Sequence, residues 1–262
     1  MLTDYCLTDH EESGEENFVG DYWDAKWDEM KADPAALRAR LAGLFTYRRL
    51  LAVIRRLQQP KVLDCGCGMG EWTLQLNDEG CDVVGVDIAP KRIELLQQKF
   101  GTSFFRQMSF LKMDFPDDTF DVAFNWGGAE HFEAGVELAF RETCRVLKPG
   151  GYFLVSTPVQ NLRHMLRGFG SPPEAACSPQ RRFYQYRYTR AEMLAELQAT
   201  GFDVESIVFM DKRHGLFRFL HEEGRWLAKL GGASALSAVL APFVPAFVVG
   251  HMILAIGRKR AR

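Results

Sequence analysis

The cysteines of this chain lack the spacing of a metal site. None of the six forms a C-x-x-C pair, and no histidines follow at the spacing of zinc ligands, so we expect no metal ion. The pattern is typical of reduced thiols in a cytoplasmic protein. Cys65 and Cys67 lie in a glycine-rich turn that needs small side chains, which favours a packing role over a redox role.

The sequence also lacks an excess of positive charge. Its net charge of -2 gives none of the basic surplus of a general nucleic-acid binder, so we expect no nucleic-acid partner. The charge is uneven along the chain: residues 1–33 carry eleven acidic and two basic side chains, whereas residues 211–262 carry three acidic and nine basic ones. This separation of negative from positive charge along the chain bears on which partners the protein binds and on whether it contacts a membrane surface.

The N-terminal residues lack both the basic start and the apolar run of a signal peptide, so we expect a cytoplasmic protein. Residues 1–17 are polar and acidic, which predicts disorder until something covers the functional site. No shift in composition forces a second domain. We therefore predict an acidic N-terminal segment at 1–33, followed by a single domain at 34–262.

Aromatic residues at helical spacing occur within the acidic N-terminal segment, at Tyr22, Trp23 and Trp27. Such a cluster either anchors the segment on a hydrophobic surface or folds over a bound ligand as a lid. The sequence leaves both alternatives open.

A glycine-rich turn follows an apolar strand at residues 61–70, which read KVLDCGCGMG. Asp64 ends the strand, and Gly66, Gly68 and Gly70 follow it. The next helix would point its unpaired backbone N–H groups at the polar end of a ligand, which predicts a nucleotide site. The dinucleotide pattern G-x-G-x-x-G would require glycine at position 71, where the chain has glutamate, so the pattern is D-x-G-x-G-x-G.

A second acidic residue ends the next strand pattern, CDVVGVDIA. Asp87 lies 17 residues after Gly70, where a carboxylate can accept hydrogen bonds from both ribose hydroxyls. The alternative is that Asp87 only caps the following helix. Because Ala89 and Pro90 intervene, we favour the ribose role.

Four motifs, in this order and spacing, resemble those of class I S-adenosylmethionine-dependent methyltransferases: VLDCGCGMG, VVGVDIAP, FPDDTFDVAFNWGGAEHF and ETCRVLKPGGYFLVSTP. The resemblance covers residues 61–258, and four motifs in register are more specific than any one. It implies an α/β, Rossmann-like fold whose seven-stranded, mostly parallel sheet has the order 3-2-1-4-5-7-6. The seventh strand would be antiparallel, and helices would cover both faces.

The same resemblance implies S-adenosyl-L-methionine as cofactor and gives several residues a role in binding it. The residues that would line its methionine part belong to the glycine turn: Asp64, Gly66, Cys67, Gly68 and Gly70. Asp87 would hold the ribose and Ile88 would lie against the adenine. Ser109 stands where many relatives have an acidic partner for the adenine amino group, and the N–H of Phe110 can donate to the ring. Asn125 would contact the methionine ammonium through its backbone carbonyl.

Two residues after the fourth strand are candidates for catalysis. Transfer of an activated methyl group needs an aligned acceptor and, for an oxygen or nitrogen acceptor, a base. Glu130 and His131 are the best-placed pair, with His131 as the candidate base. The alternative is that both only start the helix expected from Phe132 and orient its loop.

The rest of the core alternates strand and helix patterns, which is typical of a parallel sheet covered on both faces. Strands are predicted at residues 61–65, 82–87, 103–107, 120–125, 151–157, 204–210 and 250–257. Helices are predicted at residues 34–58, 71–79, 90–99, 132–146 and 190–200. The first helix would be capped by Asp33, and the last would begin with a capping box formed by Thr189 and Glu192.

Two insertions interrupt this alternation. Residues 158–188 are too long for an ordinary connection, and their five arginines with interleaved aromatics suit a lid that binds an anionic or planar acceptor. A solvated basic loop is the alternative. Residues 211–249 predict a helical cover that touches a membrane surface or the acceptor. A membrane span is not expected, because Pro242 and Pro245 break the apolar run and the seventh strand takes its end.

The sequence thus favours methyl transfer to an oxygen, nitrogen or carbon atom of a small-molecule acceptor. The alternatives are a lipid or quinone acceptor at the membrane surface, and a catalytically silent module that binds the cofactor and regulates a partner. The intact glycine turn and Asp87 argue against the silent module. The sequence leaves the oligomeric state open.

Overall fold

The computed structural model describes residues 1–7, 15–30, 34–162, 164, 181–222 and 233–261. The strands in these ranges are β1 (Leu2–Leu7), β2 (Lys61–Cys65), β3 (Asp82–Asp87), β4 (Phe105–Gln107), β5 (Phe120–Trp126), β6 (Leu147–Pro158), β7 (Arg181–Arg187), β8 (Phe202–Met210) and β9 (Met252–Lys259). The helices are α1 (Glu15–Met30), α2 (Pro34–Leu41), α3 (Phe45–Ile54), α4 (Glu71–Asp78), α5 (Pro90–Phe100), α6 (Glu137–Val146), α7 (Arg190–Ala199), α8 (Lys212–Glu222), α9 (Ala233–Leu240) and α10 (Ala246–Val249). A 3₁₀ turn spans Ala129–His131.

Seven of the described strands form one sheet in the order β4-β3-β2-β5-β6-β9-β8. The first five run parallel, and β9 is antiparallel to both of its neighbours. Numbered along the chain, this order is 3-2-1-4-5-7-6, so the predicted topology is confirmed. The order reverses between β2 and β5, and sheets of this kind bind ligands at such a reversal, beyond the carboxyl ends of the strands.

The central strand β2 is buried on both faces, which explains its apolar sequence. Successive side chains of a strand point to opposite faces. Val62 accordingly belongs to a core cluster with Tyr47 and Leu50 of α3, and Leu63 to another that contains Phe140 of α6. Two hydrophobic layers therefore hold the end of β2 in place.

The prediction of one continuous helix at 34–58 is wrong, because two helices, α2 and α3, occupy this range. The N–H of Gly43 donates to the carbonyl of Arg40 at 3.1 Å, and that of Leu44 to the carbonyl of Leu41 at 2.8 Å. These bonds close a turn at a glycine, a weak helix former. The predicted cap, Asp33, lies outside the described residues.

The helix predicted at 132–146 begins later than expected, at Glu137. Gly135 has a left-handed φ of 82°, and its N–H donates to the carbonyl of Phe132 at 2.9 Å. A turn with this backbone conformation cannot continue as a right-handed helix. Residues after the 3₁₀ turn therefore form a loop instead of the first helical turn.

Other bounds differ less. The strand predicted at 103–107 is confined to β4, the one predicted at 250–257 is shifted by two residues in β9, and β6 begins four residues before the predicted 151. Helices α4, α5 and α7 match their predictions to within one residue at each end. The capping box is confirmed, because the hydroxyl of Thr189 accepts the N–H of Glu192 at 3.2 Å and the Glu192 carboxylate accepts the N–H of Thr189 at 2.8 Å.

Residues 2–7 form β1, so the disorder predicted for 1–17 is wrong for this part. β1 pairs antiparallel with β7, which lies inside the insertion at 158–188. The Asp4 carboxylate accepts a hydrogen bond from the Gln185 amide and pairs with Arg187, both at 2.7 Å. These cross-strand contacts favour the pairing. Residues 163 and 165–180 of the insertion lie outside the described residues, as do the side chains of 181 and 182.

The helical prediction for 211–249 agrees with α8, α9 and α10. Leu216 and Leu220 of α8 are buried against Ala233, Ala241 and Val249. This small core holds the three helices together beside β8 and β9. Within the described ranges, no helix has the length and apolarity needed to cross a bilayer.

Candidate functional site

A cavity of about 160 Å³ lies where the strand order reverses, at the ends of β2, β3 and β5. Its walls come from α1, the glycine turn after β2, the end of β3 and the loop after β5. Seven of the predicted cofactor-binding residues line it: Asp64, Gly66, Cys67, Gly68, Asp87, Ile88 and Phe110. The residues that the sequence motifs single out are thus brought together in one place.

The glycine turn brings the backbone close to the cavity, because its glycines adopt left-handed backbone conformations that residues with a side chain rarely adopt. Gly68 has a φ of 50°, and a Cβ atom there would lie 3.1 Å from Trp27 of α1. Gly70 has a φ of 73°, and its Cβ atom would come within 2.8 Å of the Phe105 ring. Gly70 therefore serves the turn and the packing behind it, and is not among the residues that line the cavity.

Asp87 connects the glycine turn to β3. Its Oδ2 accepts the N–H of Gly68 at 2.8 Å, and its Oδ1 accepts the N–H of Ala89 at 2.9 Å. Asp87 thus bonds the residue before α5 and none of the N–H groups of that helix, which has no side-chain cap at Ala89, and it also lines the cavity. Each carboxylate oxygen can accept a further hydrogen bond, so the ribose role stays a prediction.

Three carboxylates line the cavity, at Asp64, Glu71 and Asp87, and none of the described lining residues is basic. Burial raises the pKa of each carboxyl group, and the negative charges of Glu71 and Asp87 raise the pKa of Asp64 further. Repulsion of this kind is relieved by a bound cation. The cavity therefore suits a positively charged ligand better than the pyrophosphate of a dinucleotide.

Helix α1 covers this cavity with the rings of Trp23 and Trp27. It is held there by Asp24, whose carboxylate accepts the N–H groups of Lys91 and Arg92 in the first turn of α5, at 3.3 and 3.1 Å. A carboxylate at a helix N-terminus is favourable, because the N–H groups there have no partner within the helix. Trp23 and Trp27 line the cavity, while Tyr22 and Trp23 also pack against the main hydrophobic core, so both alternatives for the N-terminal aromatics stay open.

Ser109 lies in an adjoining depression that shares Ile88 with the main cavity. Its hydroxyl donates to the Glu16 carboxylate of α1 at 2.8 Å. The resemblance led us to expect an acidic side chain at position 109. The structure has one next to Ser109 instead, supplied by Glu16 of the N-terminal segment. Phe110 lines the main cavity itself, with its ring 5.4 Å from that of Phe132.

Asn125 is buried and is bonded through its side chain. Its Nδ2 donates to the carbonyl of Cys65 at 2.6 Å, and its Oδ1 accepts the N–H groups of Gly128 and Ala129 at 3.2 and 3.1 Å. These bonds hold the loop after β5 against the glycine turn. Asn125 is not among the residues that line the cavity, so its backbone contact with the cofactor stays a prediction.

Glu130 is buried in the 3₁₀ turn, with 1% of its surface exposed. Its Oε2 has no hydrogen-bond partner among the described residues. Burial raises its pKa to about 8. A Cβ atom on Gly127, which lines the cavity, would lie 3.5 Å from Oε1 of Glu130. The carboxyl group therefore sits directly behind the cavity wall.

His131 is also buried, and its Nδ1 lies 2.7 Å from the carbonyl oxygen of Tyr184 in β7. Its ring packs against the rings of Trp23 and Tyr184, with centroids 5.1 and 4.9 Å apart. Burial lowers its pKa to about 4, so the imidazole is neutral at physiological pH. His131 thus links α1, β7 and the loop after β5. It does not start a helix at Phe132, because α6 begins at Glu137, and its role as a base stays a prediction.

These features fit the cofactor that the sequence implies. The left-handed glycine backbone leaves room for close approach, the three carboxylates suit a sulfonium cation, and Asp87 stands at the end of β3. Residues 63–155 match the family model described as a methyltransferase domain. This part of the chain is a methyltransferase domain, and its motifs are those of the class I S-adenosylmethionine-dependent methyltransferases. The cofactor of that family is S-adenosylmethionine.

The curated relatives that this chain matches include other methyltransferases. The chain is 28% identical to a probable S-adenosylmethionine-dependent methyltransferase of Mycolicibacterium smegmatis, over 65% of this chain and 68% of that protein. It is 36% identical to a sterol 4-C-methyltransferase of Caenorhabditis elegans, over 36% of this chain and 29% of that protein. The chain spans about half or less of the length of most curated relatives that it matches, so these likenesses assign no acceptor.

A solved structure shows the same fold. A methyltransferase of Archaeoglobus fulgidus that depends on the same cofactor superimposes with a TM-score of 0.59, at 18% identity, over 91% of this chain and all of that chain. This likeness supports the architecture of the methyltransferase and carries no further assignment.

Several residues of the methyltransferase site were missed from the sequence. Glu71 and Trp126 line the cavity, as do Val19 of α1 and Trp72 of α4. One signal was available for Glu71, since it occupies the position where a dinucleotide fingerprint would have glycine. Trp126 gave no signal, because an aromatic residue at a strand end is more often part of the core.

Proposed function

We propose that this protein transfers the methyl group of S-adenosylmethionine to an oxygen, nitrogen or carbon atom of a small-molecule acceptor. The observation that carries the proposal is the acidic, covered cavity at the reversal of the strand order. Bound there, S-adenosylmethionine supplies a methyl group already activated by the sulfonium. The chain then has to bind both reactants, align them and exclude water.

The residues of the cavity divide these tasks. Asp64 and Asp87 favour a cationic ligand through their charge, and Gly68 lets the backbone approach it. The indoles of Trp23 and Trp27 close the site above the glycine turn. A covered site with few waters strengthens the electrostatic interactions inside it.

For an oxygen or nitrogen acceptor, we assign the base to Glu130 in preference to His131. A base works best with a pKa close to the working pH, and the pKa of Glu130 is about 8 whereas that of His131 is about 4. The Oε2 atom of Glu130 also has no partner among the described residues, whereas His131 already contacts the Tyr184 carbonyl. Glu130 can therefore take a proton from an acceptor that reaches past Gly127.

The test is a screen of metabolite and lipid pools with cofactor labelled on the methyl group, comparing the unaltered protein with Glu130→Gln. We expect labelled product from the unaltered protein and a large loss of kcat in the variant, with binding of S-adenosylhomocysteine, the demethylated product, retained. Cofactor binding without turnover in every pool would instead favour the regulatory module.

A second acceptor class is supported by the outer surface of the helical cover. Val239, Phe243 and Phe247 are 64%, 81% and 55% exposed, and residues 233–249 contain no charged side chain. The Lys212 ammonium holds the turn that presents Phe243, through the carbonyls of residues 242 and 244 at 3.4 and 3.3 Å. Exposed aromatic residues beside basic ones suit a membrane interface. We therefore propose a lipid or quinone acceptor, met at the membrane surface, as the second candidate.

A further inference from the structure

Arg187 of β7 is a buried arginine whose guanidinium is incompletely paired. Its side chain is 6% exposed, and its Nη2 atom pairs with the Asp4 carboxylate of β1 at 2.7 Å. Its Nη1 atom is also buried but has no hydrogen-bond partner among the described residues. Such a donor is unfavourable, because it has lost its hydrogen bonds to water and gained none in return. A bound group that accepts a hydrogen bond would remove this cost.

The backbone next to Arg187 joins the insertion to the main sheet. Tyr188 donates its N–H to the carbonyl of Pro158, the last residue of β6, at 3.1 Å. Val159 in turn donates its N–H to the carbonyl of His251, directly before β9, at 3.0 Å. Arg187 therefore lies at the carboxyl end of β6, the neighbour of the strand β5 whose end lines the cofactor cavity.

Glu130 connects this place to the cavity. Burial raises the pKa of its carboxyl group, and the positive charge of Arg187 opposes that rise. Glu130 itself lies behind Gly127 of the cavity wall. Thr157 of β6 is another buried residue whose hydroxyl has no partner among the described residues. Buried polar groups without partners thus occur at Arg187, Glu130 and Thr157, all near the carboxyl ends of β5 and β6.

Basic side chains gather around His251. Its ring lies 4.6 Å from that of His214 in α8, measured between centroids. Burial lowers the pKa of His251 most, and His214, Arg187, Arg218 and His164 add to the effect, which brings the pKa to about 3. The surroundings of His251 are therefore positively charged.

Three acidic groups nearby offset little of this charge. Asp4 is already paired with Arg187. Burial raises the pKa of Glu130 to about 8, so this carboxyl group is mostly protonated at neutral pH, and burial also raises the pKa of Asp211. The place thus favours an anion, whereas the cofactor cavity suits a cation. A guanidinium is well suited to bind one, since its N–H groups match the oxygens of carboxylates and phosphates.

We propose that the acceptor carries an acidic group, a carboxylate or a phosphate, and that Arg187 binds it through Nη1. The inference rests on the proposed function, because it takes the bound anion to be the molecule that is methylated beside Gly127. It makes Arg187 a residue that selects the acceptor and has no part in binding the cofactor. The competing explanation is that Arg187 only anchors β1 through Asp4.

The test measures binding of small probes to the protein loaded with S-adenosylhomocysteine, by calorimetry. Benzoate is compared with benzamide, and glycerol 3-phosphate with glycerol, so that each acid has a neutral match. We expect at least one acid to bind about tenfold or more tightly than its match. Dihexanoyl phosphatidic acid carries the same phosphate on a lipid. If it bound through Arg187 and glycerol 3-phosphate did not, the acidic group would be that of a lipid headgroup.

Two variants break the same ion pair from opposite sides. Arg187→Gln removes the guanidinium and should weaken binding of the acid by about tenfold or more. Asp4→Asn removes the competing carboxylate and keeps the guanidinium, so it should leave binding unchanged or make it tighter. Arg260→Gln is the matched control, because Arg260 also pairs with an aspartate, Asp203, at 2.9 Å, and it should change neither affinity.

Equal weakening in Arg187→Gln and Asp4→Asn would overturn the inference in favour of a purely structural ion pair. Failure of every acid to bind more tightly than its neutral match would overturn it as well. Weaker binding in Asp4→Asn would do so even if Arg187→Gln did not fold. Affinity for S-adenosylhomocysteine should stay within about twofold in all three variants. If the unaltered protein did not bind S-adenosylhomocysteine, the proposed function itself would fail, so the two failures are distinguishable.

Discussion

The indole of Trp27 lies against Gly68, so that a Cβ atom on Gly68 would come 3.1 Å from Cζ2 of the ring. The glycine is part of the turn that approaches the cofactor, and the tryptophan belongs to the helix that covers it. A side chain in place of this glycine would lie closer to the indole than side chains normally pack, so the ring would have to move slightly to make room. The contact therefore ties the position of α1 to the shape of the glycine turn.

The first prediction tests this coupling with Gly68→Ala. The added methyl group should push Trp27 outward and weaken binding of S-adenosylhomocysteine by about 1 kcal/mol or more. Separately, an alanine in the left-handed conformation should lower the free energy of unfolding by about 1 kcal/mol. Gly80→Ala is the matched control, because Gly80 has a φ of 83° but no atom within 4 Å of its added Cβ. Both variants should lose stability, and only Gly68→Ala should lose affinity. Equal affinities in the two variants would show that α1 does not close on the turn.

The second prediction concerns the pH dependence of stability. Glu130 has a pKa of about 8 in the folded protein, well above that of an exposed glutamate. The folded state therefore holds a proton that the unfolded state releases, and stability falls as the pH rises from about 4.5 to about 8. We expect this group alone to remove about 2 kcal/mol of unfolding free energy between pH 5 and pH 7.

Glu130→Gln should abolish that part of the slope, because glutamine resembles the protonated carboxyl group and does not titrate. Denaturant unfolding of both proteins at several pH values measures the difference, which isolates Glu130 from the other buried carboxyl groups. Parallel pH profiles for the two proteins would contradict the burial of a protonated Glu130.

The third prediction concerns the exposed aromatics of the helical cover. The double variant Phe243→Ser, Phe247→Ser should reduce binding to anionic liposomes several-fold, and binding of the unaltered protein should weaken with added salt, because surface attraction is screened over about 8 Å at physiological ionic strength. Leu138→Ser is the control, since Leu138 is an exposed leucine on α6, outside the cover. Sedimentation with liposomes measures all three proteins. Indifference of the unaltered protein to liposomes would remove the membrane candidate and leave a cover over the acceptor site.

The sequence predicted the sheet and the glycine turn because their signals are local. An apolar strand that runs into glycines, and an aspartate at the end of the next strand, are encoded in consecutive residues. The contact of Ser109 with Glu16 joins positions 93 residues apart, and no periodicity connects them. The pairing of β1 with β7 could not be predicted from local sequence either, because β1 has a strand to pair with only once the insertion has folded.

The same reasoning explains which site residues were found. Asp64 and Asp87 belong to motifs whose spacing carries meaning, whereas Trp126 became part of the site only through its position beside α4. His131 was predicted as a base, but it does not line the cavity, and its burial against Tyr184 could not be read from its position after β5. Sequence patterns locate the strand ends, and packing decides which side chains there face the cavity.

The central claim is that the cavity binds S-adenosylmethionine and that Asp87 holds its ribose. Isothermal calorimetry should detect binding of S-adenosylmethionine and S-adenosylhomocysteine, with no binding of NAD. Asp87→Ala should weaken that binding by about 1.5 to 3 kcal/mol through loss of charge-assisted hydrogen bonds. Asp82→Ala, at the exposed start of the same strand, should leave it unchanged. Tight binding of NAD, or an Asp87→Ala variant that binds as well as the unaltered protein, would contradict the account.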